Sequence, residues 1–171
     1  NVFSAHKKTD VYASDVMLTN GLTPSFTLHC GDHSINIDLQ LLGMHNVQNA
    51  VCAAAAASAA GIDLQHIKAG LERAVPEKHR MRLLTGLRGS RIVDDAYNSS
   101  PAAIKAAIDW LAAQDGRRVL VMGDMKELGA EENAYHREVG EYALRQGIER
   151  LYATGQLAKH AVDAFGHHAY Y

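Results

Sequence analysis

Three textures of apolar and polar positions follow one another along the chain. In the first 42 residues apolar side chains alternate with polar ones: Val11, Ala13, Val16 and Leu18 loosely, then Phe26, Leu28 and Cys30 around Thr27 and His29, then Ile35, Ile37, Leu39 and Leu41. A period of two is the mark of half-buried strands, and Asn20-Gly21 and Gly31-Asp32 between the runs are turn signals. Residues 2–42 therefore predict a meander of short antiparallel strands. Gly43 breaks it. A helix is predicted from Asn46 through the alanines to Ala60, stopped by Gly61. Its alanine run, 53–57, gives high helix propensity and a thin surface for close packing. A second helix over 64–73 shows Leu64, Ile67 and Leu71 on one face, and Val75-Pro76 halts it.

Residues 76–80 are polar and led by a proline, so the linker is placed there, between domains at 1–76 and 77–171. Beyond it the texture becomes alternating strands and helices. Segments 81–87 and 91–95 read as a hairpin around Arg88-Gly89-Ser90. Within it, Ile92-Val93 flanked by Arg91 and Asp94-Asp95 reads as a short buried strand. Pro101 then opens a helix over 101–113, with Ile104, Ala107, Ile108 and Leu111 at helical spacing. Strand 118–122, helix 133–146, strand 151–153 and helix 156–164 complete a βαβαβα series, which implies a parallel sheet with helices packed against it. Ala169-Tyr170-Tyr171 reads as the start of a further strand. The predicted fold class is α/β: an antiparallel meander with helices, followed by a Rossmann-like, mostly parallel domain that is unfinished. The first residue is Asn1, and both ends are expected to be cut from a longer protein.

Composition narrows the function. With 47% hydrophobic and 21% charged residues the chain can build a core. A net charge of -2 and a pI near 6.6 give no electrostatic argument for nucleic acid or an anionic membrane. Cys30 and Cys52 lack metal-ligand spacing, the ten histidines fall in unrelated contexts, and no metal site is predicted. No apolar run reaches membrane-spanning length and no secretory signal opens the chain. A reduced, cytoplasmic protein is expected, with no membrane insertion.

The candidate chemistry gathers in three stretches. Asn46 and Asn49 stand three apart at a helix start, so their side chains share a face. Asn46 suits a capping role. Asn49 lies one turn in, where it no longer caps and is a poor helix former; its donors and acceptors suit a purine edge. The second stretch is Asp94-Asp95-Ala96-Tyr97-Asn98-Ser99-Ser100-Pro101. A strand that ends in acid and runs through polar residues into a helix is where open sheets bind ligands, and it is equally what a capped turn prefers. Asp95 could accept bonds from ribose hydroxyls. The third is Gly123-Asp124-Met125-Lys126-Glu127-Leu128-Gly129, a loop that parallel strands would bring beside Asp95. Tyr135, early in the next helix, is expected in the core. Arg80, in the linker with Arg82 nearby, could swing onto phosphates.

Taken together, Gly43-x-His45-Asn46-x-x-Asn49-Ala50-x-x-Ala53-Ala54, the Asp94–Pro101 stretch, the Gly-Asp-Met-Lys-Glu-Leu-Gly loop and His136-x-x-Val139-Gly140 resemble the Mur ligase family, in order and over nearly the whole chain. The resemblance implies the end of a central ATPase domain followed by most of a C-terminal domain. It implies an ATP-dependent amide-bond ligase of peptidoglycan synthesis that makes an acyl phosphate for an incoming amine to attack. The second and third stretches point to the member joining D-alanyl-D-alanine to UDP-N-acetylmuramoyl-tripeptide. By matched position Asn49 would lie against adenine, Asn46 near the nucleotide, Arg80 on the phosphates and Asp95 on the ribose, with Asn98 on the same loop. Tyr97, Asn98, Asp124, Lys126 and His136 are implied on the substrate side. ATP and magnesium are the implied cofactors; no Gly-x-x-Gly-Lys-Thr phosphate loop occurs in the sequence, and the magnesium ligands are expected upstream of it. A monomer is expected, and the fragment alone is expected to be inactive. Ser99 and Ser100 replace the second amide common in relatives. Two alternatives stand beside this one: another ligase of the superfamily, such as a folylpolyglutamate synthase, and a non-catalytic α/β nucleotide-binding module.

Overall fold

A computed structural model describes residues 10–19 and 21–171. The chain divides into two compact units, Asn1–Asp94 and Asp95–Tyr171. Val2 and Asn20, at the edges of the predicted strands, lie outside the described residues.

In the first unit the alternating runs form β1 (Val11–Thr19), β2 (Thr23–Cys30) and β3 (His33–Asp38), an antiparallel meander in the order β1-β2-β3. Phe26, Leu28 and Ile37 point inward and are buried, while Asn36 and Asp38 on either side of Ile37 are exposed. Two helices follow, α1 (His45–Ala59) and α2 (Leu64–Arg73). The spacing of Val47, Ala50, Val51 and Ala54 gives α1 a single buried stripe, which packs with Ala13, Phe26, Leu28, Ile37 and Ile67 into one core. Each fully buried Leu, Ile or Phe side chain adds roughly 1.5–3 kcal/mol. Asp63 starts α2 by accepting from the backbone N–H groups of Gln65 (3.0 Å) and His66 (3.1 Å). Glu72 ties α2 to the sheet through the Asp38 N–H at 3.0 Å.

The predicted hairpin is present as β4 (Arg82–Thr85) and β5 (Arg91–Asp94), paired antiparallel with Arg82 opposite Asp94. Two expectations for β5 are corrected. It is not buried: Arg91 is exposed and Ile92 is 49% exposed. Nor does it open the parallel sheet, as the βαβαβα series implied: that sheet is made of the three strands that follow. Only Val93 of the apolar pair is half-buried, so alternation leaves Ile92 on the open face of a two-stranded ribbon.

In the second unit α3 (Pro101–Ala112), β6 (Val119–Met122), α4 (Glu132–Arg145), β7 (Arg150–Ala153), α5 (Lys159–Phe165) and β8 (Ala169–Tyr170) alternate, and β6, β7 and β8 form a parallel sheet in that order. Ser100 caps α3 by accepting from the Ala103 N–H at 3.2 Å, with Pro101 in the first turn. Ile104, Ile108, Met122, Val139, Ala143, Leu151 and Phe165 form the core. On α4 the buried positions are His136, Val139, Gly140 and Ala143. Tyr135 falls one position out of that stripe and is 37% exposed, so its expected place in the core is corrected. Helix α5 starts later than the sequence predicts, after a turn at 156–158.

Candidate functional site

The first turn of α1 links its two amides. Asn46 does not cap the helix, since Met44 holds the cap position without a side-chain bond. Instead Asn46 Nδ2 donates to the Leu42 carbonyl at 2.8 Å, and Asn46 Oδ1 accepts from Asn49 Nδ2 at 3.0 Å. Asn46 is thereby fixed against the loop that enters the helix, and it in turn orients Asn49. Asn49 is exposed and presents a carbonyl oxygen and its second amide hydrogen to solvent.

Arg80 is held by its neighbours. Non-glycine residues on both sides take left-handed backbone conformations, His79 at φ 62° and Met81 at φ 46°. Each such residue costs about 1–3 kcal/mol and persists only when pinned. The pins are visible: His79 Nδ1 lies 2.7 Å from Asp94 Oδ2, and Met81 is buried. Nothing in the sequence links His79 to Asp94, because the pairing depends on the hairpin folding back on the linker. The first unit also has a cavity of about 340 Å³ walled by Leu22, Leu42, Pro76 and Leu83, with Arg82 at its edge. None of the predicted site residues lines it.

In the second unit, Asp95 is half-buried at the start of the loop, and Tyr97 and Asn98 are exposed. The capped turn is present, with Ser100 as the cap, and Tyr97 and Asn98 are exposed beside it. The loop after β6 is fastened twice. Asp124 Oδ1 accepts from the backbone N–H groups of Leu157 (2.9 Å) and Ala158 (2.7 Å) in the turn before α5. Gly155 is required beside it: its φ is +104°, and a Cβ there would stand 2.4 Å from the Asp124 carboxylate. His136 is fully buried, with Nε2 accepting from the Met125 N–H at 2.9 Å and Nδ1 on the Glu132 carbonyl at 2.7 Å. Lys126 is exposed between these anchors and the end of the loop. The sequence marks the loop as polar but gives no sign that Asp124 and His136 spend their polar atoms on backbone.

Among the described residues no group of three or more His, Cys, Asp or Glu is placed to hold a metal ion. No helix among them is long and apolar enough to cross a membrane.

These features define an α/β protein whose exposed polar groups sit where strands give way to helices, the place where open sheets bind their ligands. The profile of the family described as "Mur ligase, glutamate ligase domain" matches residues 79–170. The chain belongs to the Mur ligase family. It is 38% identical over 155 residues to the UDP-N-acetylmuramoyl-tripeptide–D-alanyl-D-alanine ligase of Escherichia coli K12, an alignment covering 91% of this chain and 34% of that ligase. Its structure matches a crystal structure of MurF from Acinetobacter baumannii with a TM-score of 0.86 and 34% identity, over 94% of this chain and 35% of that one. The fold also matches MurF ligase from Thermotoga maritima, solved in complex with ADP, with a TM-score of 0.76 and 22% identity over 91% of this chain and 36% of that one. The chain spans about a third of the length of the curated relatives it matches.

Proposed function

We propose that these residues are part of an ATP-dependent ligase of peptidoglycan precursor synthesis that joins D-alanyl-D-alanine to UDP-N-acetylmuramoyl-tripeptide. In this reaction the tripeptide carboxylate takes the γ-phosphoryl group of ATP and ADP leaves; the dipeptide amine then attacks the acyl carbon and inorganic phosphate leaves. The observation that carries the reading is the 38% identity to the E. coli ligase over 155 residues, 91% of this chain.

The assigned roles follow the chemistry of each group. Asn49 would read the adenine edge, with Asn46 orienting it through the 3.0 Å bond between them. Arg80 would neutralise phosphate charge, Asp95 would accept from the ribose hydroxyls, and Asn98 would assist on the same loop. Tyr97, Asn98, Asp124 and Lys126 are assigned to the substrate side, and His136 acts there through Met125. Phosphoryl transfer needs placement and charge neutralisation more than a covalent protein group, and the set contains no activated nucleophile. Magnesium would be held by residues other than these. A domain boundary at 76/77, a bacterial cytoplasmic location, a monomer and no nucleic-acid partner belong to the same proposal, as does inactivity of these residues alone.

The test is a graft. Residues 10–171 replace the matching segment of the E. coli ligase, and phosphate release is followed with each substrate omitted in turn. The proposal expects release that requires both the muramoyl tripeptide and D-alanyl-D-alanine and falls at least tenfold with Asn49→Ala or Arg80→Ala. Release driven instead by a folate and glutamate would replace this reading with the superfamily alternative. A folded graft with no release would overturn it.

A further inference from the structure

The two partners of His136 fix its protonation state. The Glu132 carbonyl only accepts, so the imidazole nitrogen facing it at 2.7 Å, Nδ1, carries the hydrogen. The Met125 backbone N–H only donates, so the nitrogen facing it at 2.9 Å, Nε2, presents its lone pair. The ring is therefore neutral and in a single tautomer. Its side chain has no access to solvent, and neither does Met125. No water can replace the bond if it breaks, so losing it strands a buried N–H.

The residue before Met125 is anchored as well. Asp124 Oδ1 holds two backbone N–H groups ahead of α5, at 2.9 and 2.7 Å. Successive residues of the loop are thus tied to different elements, Asp124 to the turn before α5 and Met125 to α4. Directly after these anchors Lys126 and Glu127 stand exposed, with Glu127 in the left-handed region at φ 63°. We infer that His136 is a positioning residue, a neutral Nδ1–H imidazole that fixes the Met125 amide and through it aims Lys126 and Glu127. That this aim serves dipeptide binding rests on the function proposed above; the clamp itself does not.

The experiment uses the 171-residue chain labelled with 15N. The expected imidazole spectrum at neutral pH has a protonated Nδ1 and a bare Nε2, and the Met125 amide exchanges slowly. His136→Phe keeps the ring volume and removes the acceptor, and it should speed Met125 exchange roughly tenfold or more while α4 amides stay protected. His136→Gln offers a carbonyl oxygen to the same N–H and should restore slow exchange. A proton on Nε2, or Met125 exchange unchanged in His136→Phe, would overturn the inference. The dipeptide assignment is tested in the graft on the E. coli ligase described above, with and without His136→Phe, by following phosphate release against D-alanyl-D-alanine. A KM for the dipeptide raised about fivefold or more with a smaller change in kcat supports the positioning role. A chain that shows the tautomer and slow exchange but a graft whose dipeptide KM is unchanged by His136→Phe keeps the clamp and overturns the assignment of this loop to the dipeptide.

Discussion

The packing of α4 on α5 hinges on the absence of one methyl group. A Cβ built at Gly140 would lie 2.2 Å from the Ala161 carbonyl oxygen and 2.8 Å from two further backbone atoms of Ala161. Ordinary contact begins near 3.4 Å, so Gly140→Ala forces the two helices apart by about 1 Å. Neither helix yields easily. The obstruction is backbone rather than the end of a flexible side chain, Ala161 and Phe165 are buried on α5, and Asp124 holds the turn before it. Overpacking of this kind costs about 1–3 kcal/mol, against which alanine regains up to about 1 kcal/mol of helix propensity over glycine. With a rigid neighbour the cost falls at the upper end, leaving about 2 kcal/mol of net destabilisation. For a unit of this size that lowers the thermal midpoint by about 10 °C. Gly70 supplies the control. It lies exposed on α2, and a Cβ added there would meet nothing within 4 Å, so Gly70→Ala should stabilise by about 0.5–1 kcal/mol. Calorimetry and urea unfolding of both variants give the answer. A Gly140→Ala chain that melts at or above the wild type would refute the close approach of α4 and α5.

Three further outcomes are expected. The Asp63 carboxyl lies below the usual aspartate range, first because of its side-chain hydrogen bond with His66 and then because of the His66 backbone N–H. A depressed folded pKa means stability that is present above the unfolded value and lost as pH falls through the folded one. Asp63→Asn keeps a capping oxygen but loses the charge, so amide exchange in α2 should separate wild type from variant near neutral pH and cease to do so in acid; a gap that widens in acid would contradict this. Asp94→Asn weakens the 2.7 Å pairing with His79, a half-exposed pair, and should cost about 0.5–1 kcal/mol in urea unfolding. His79→Gly loses the same pairing but relieves the left-handed residue, so it should be closer to neutral than Asp94→Asn.

The elements of both units are legible in the sequence because their periods are clean. Alternation around Phe26 and Leu28 becomes β2, the stripe from Val47 to Ala54 becomes the buried face of α1, and Pro101 with Ser100 marks the start of α3. What the sequence hides depends on partners distant in the chain. Whether Ile92-Val93 is buried is decided by what lies over β5, which no local pattern encodes. The helical phase of α4 separates His136 from Tyr135 by one residue, and an aromatic at 135 draws the core assignment although the stripe through Val139 and Ala143 passes through 136. At the candidate site the sequence identifies the polar stretches, but it cannot tell which polar atoms are spent inside the protein. Asp124 and His136 are spent on backbone and Asn46 on Leu42, while Asn49 and Lys126 are left to solvent.

The central claim is the proposed contribution of Asn46, Asn49, Arg80 and Asp95, each taken by itself, to binding the nucleotide. The most direct measurement is a titration of the 15N-labelled chain with ADP, with and without magnesium, followed by amide and side-chain shifts. The account predicts weak binding that hardly changes with magnesium and shifts the Asn46 and Asn49 side-chain amides together with the Arg80 and Asp95 backbone signals. Tight magnesium-dependent binding, or shifts that leave all four residues untouched, would contradict it.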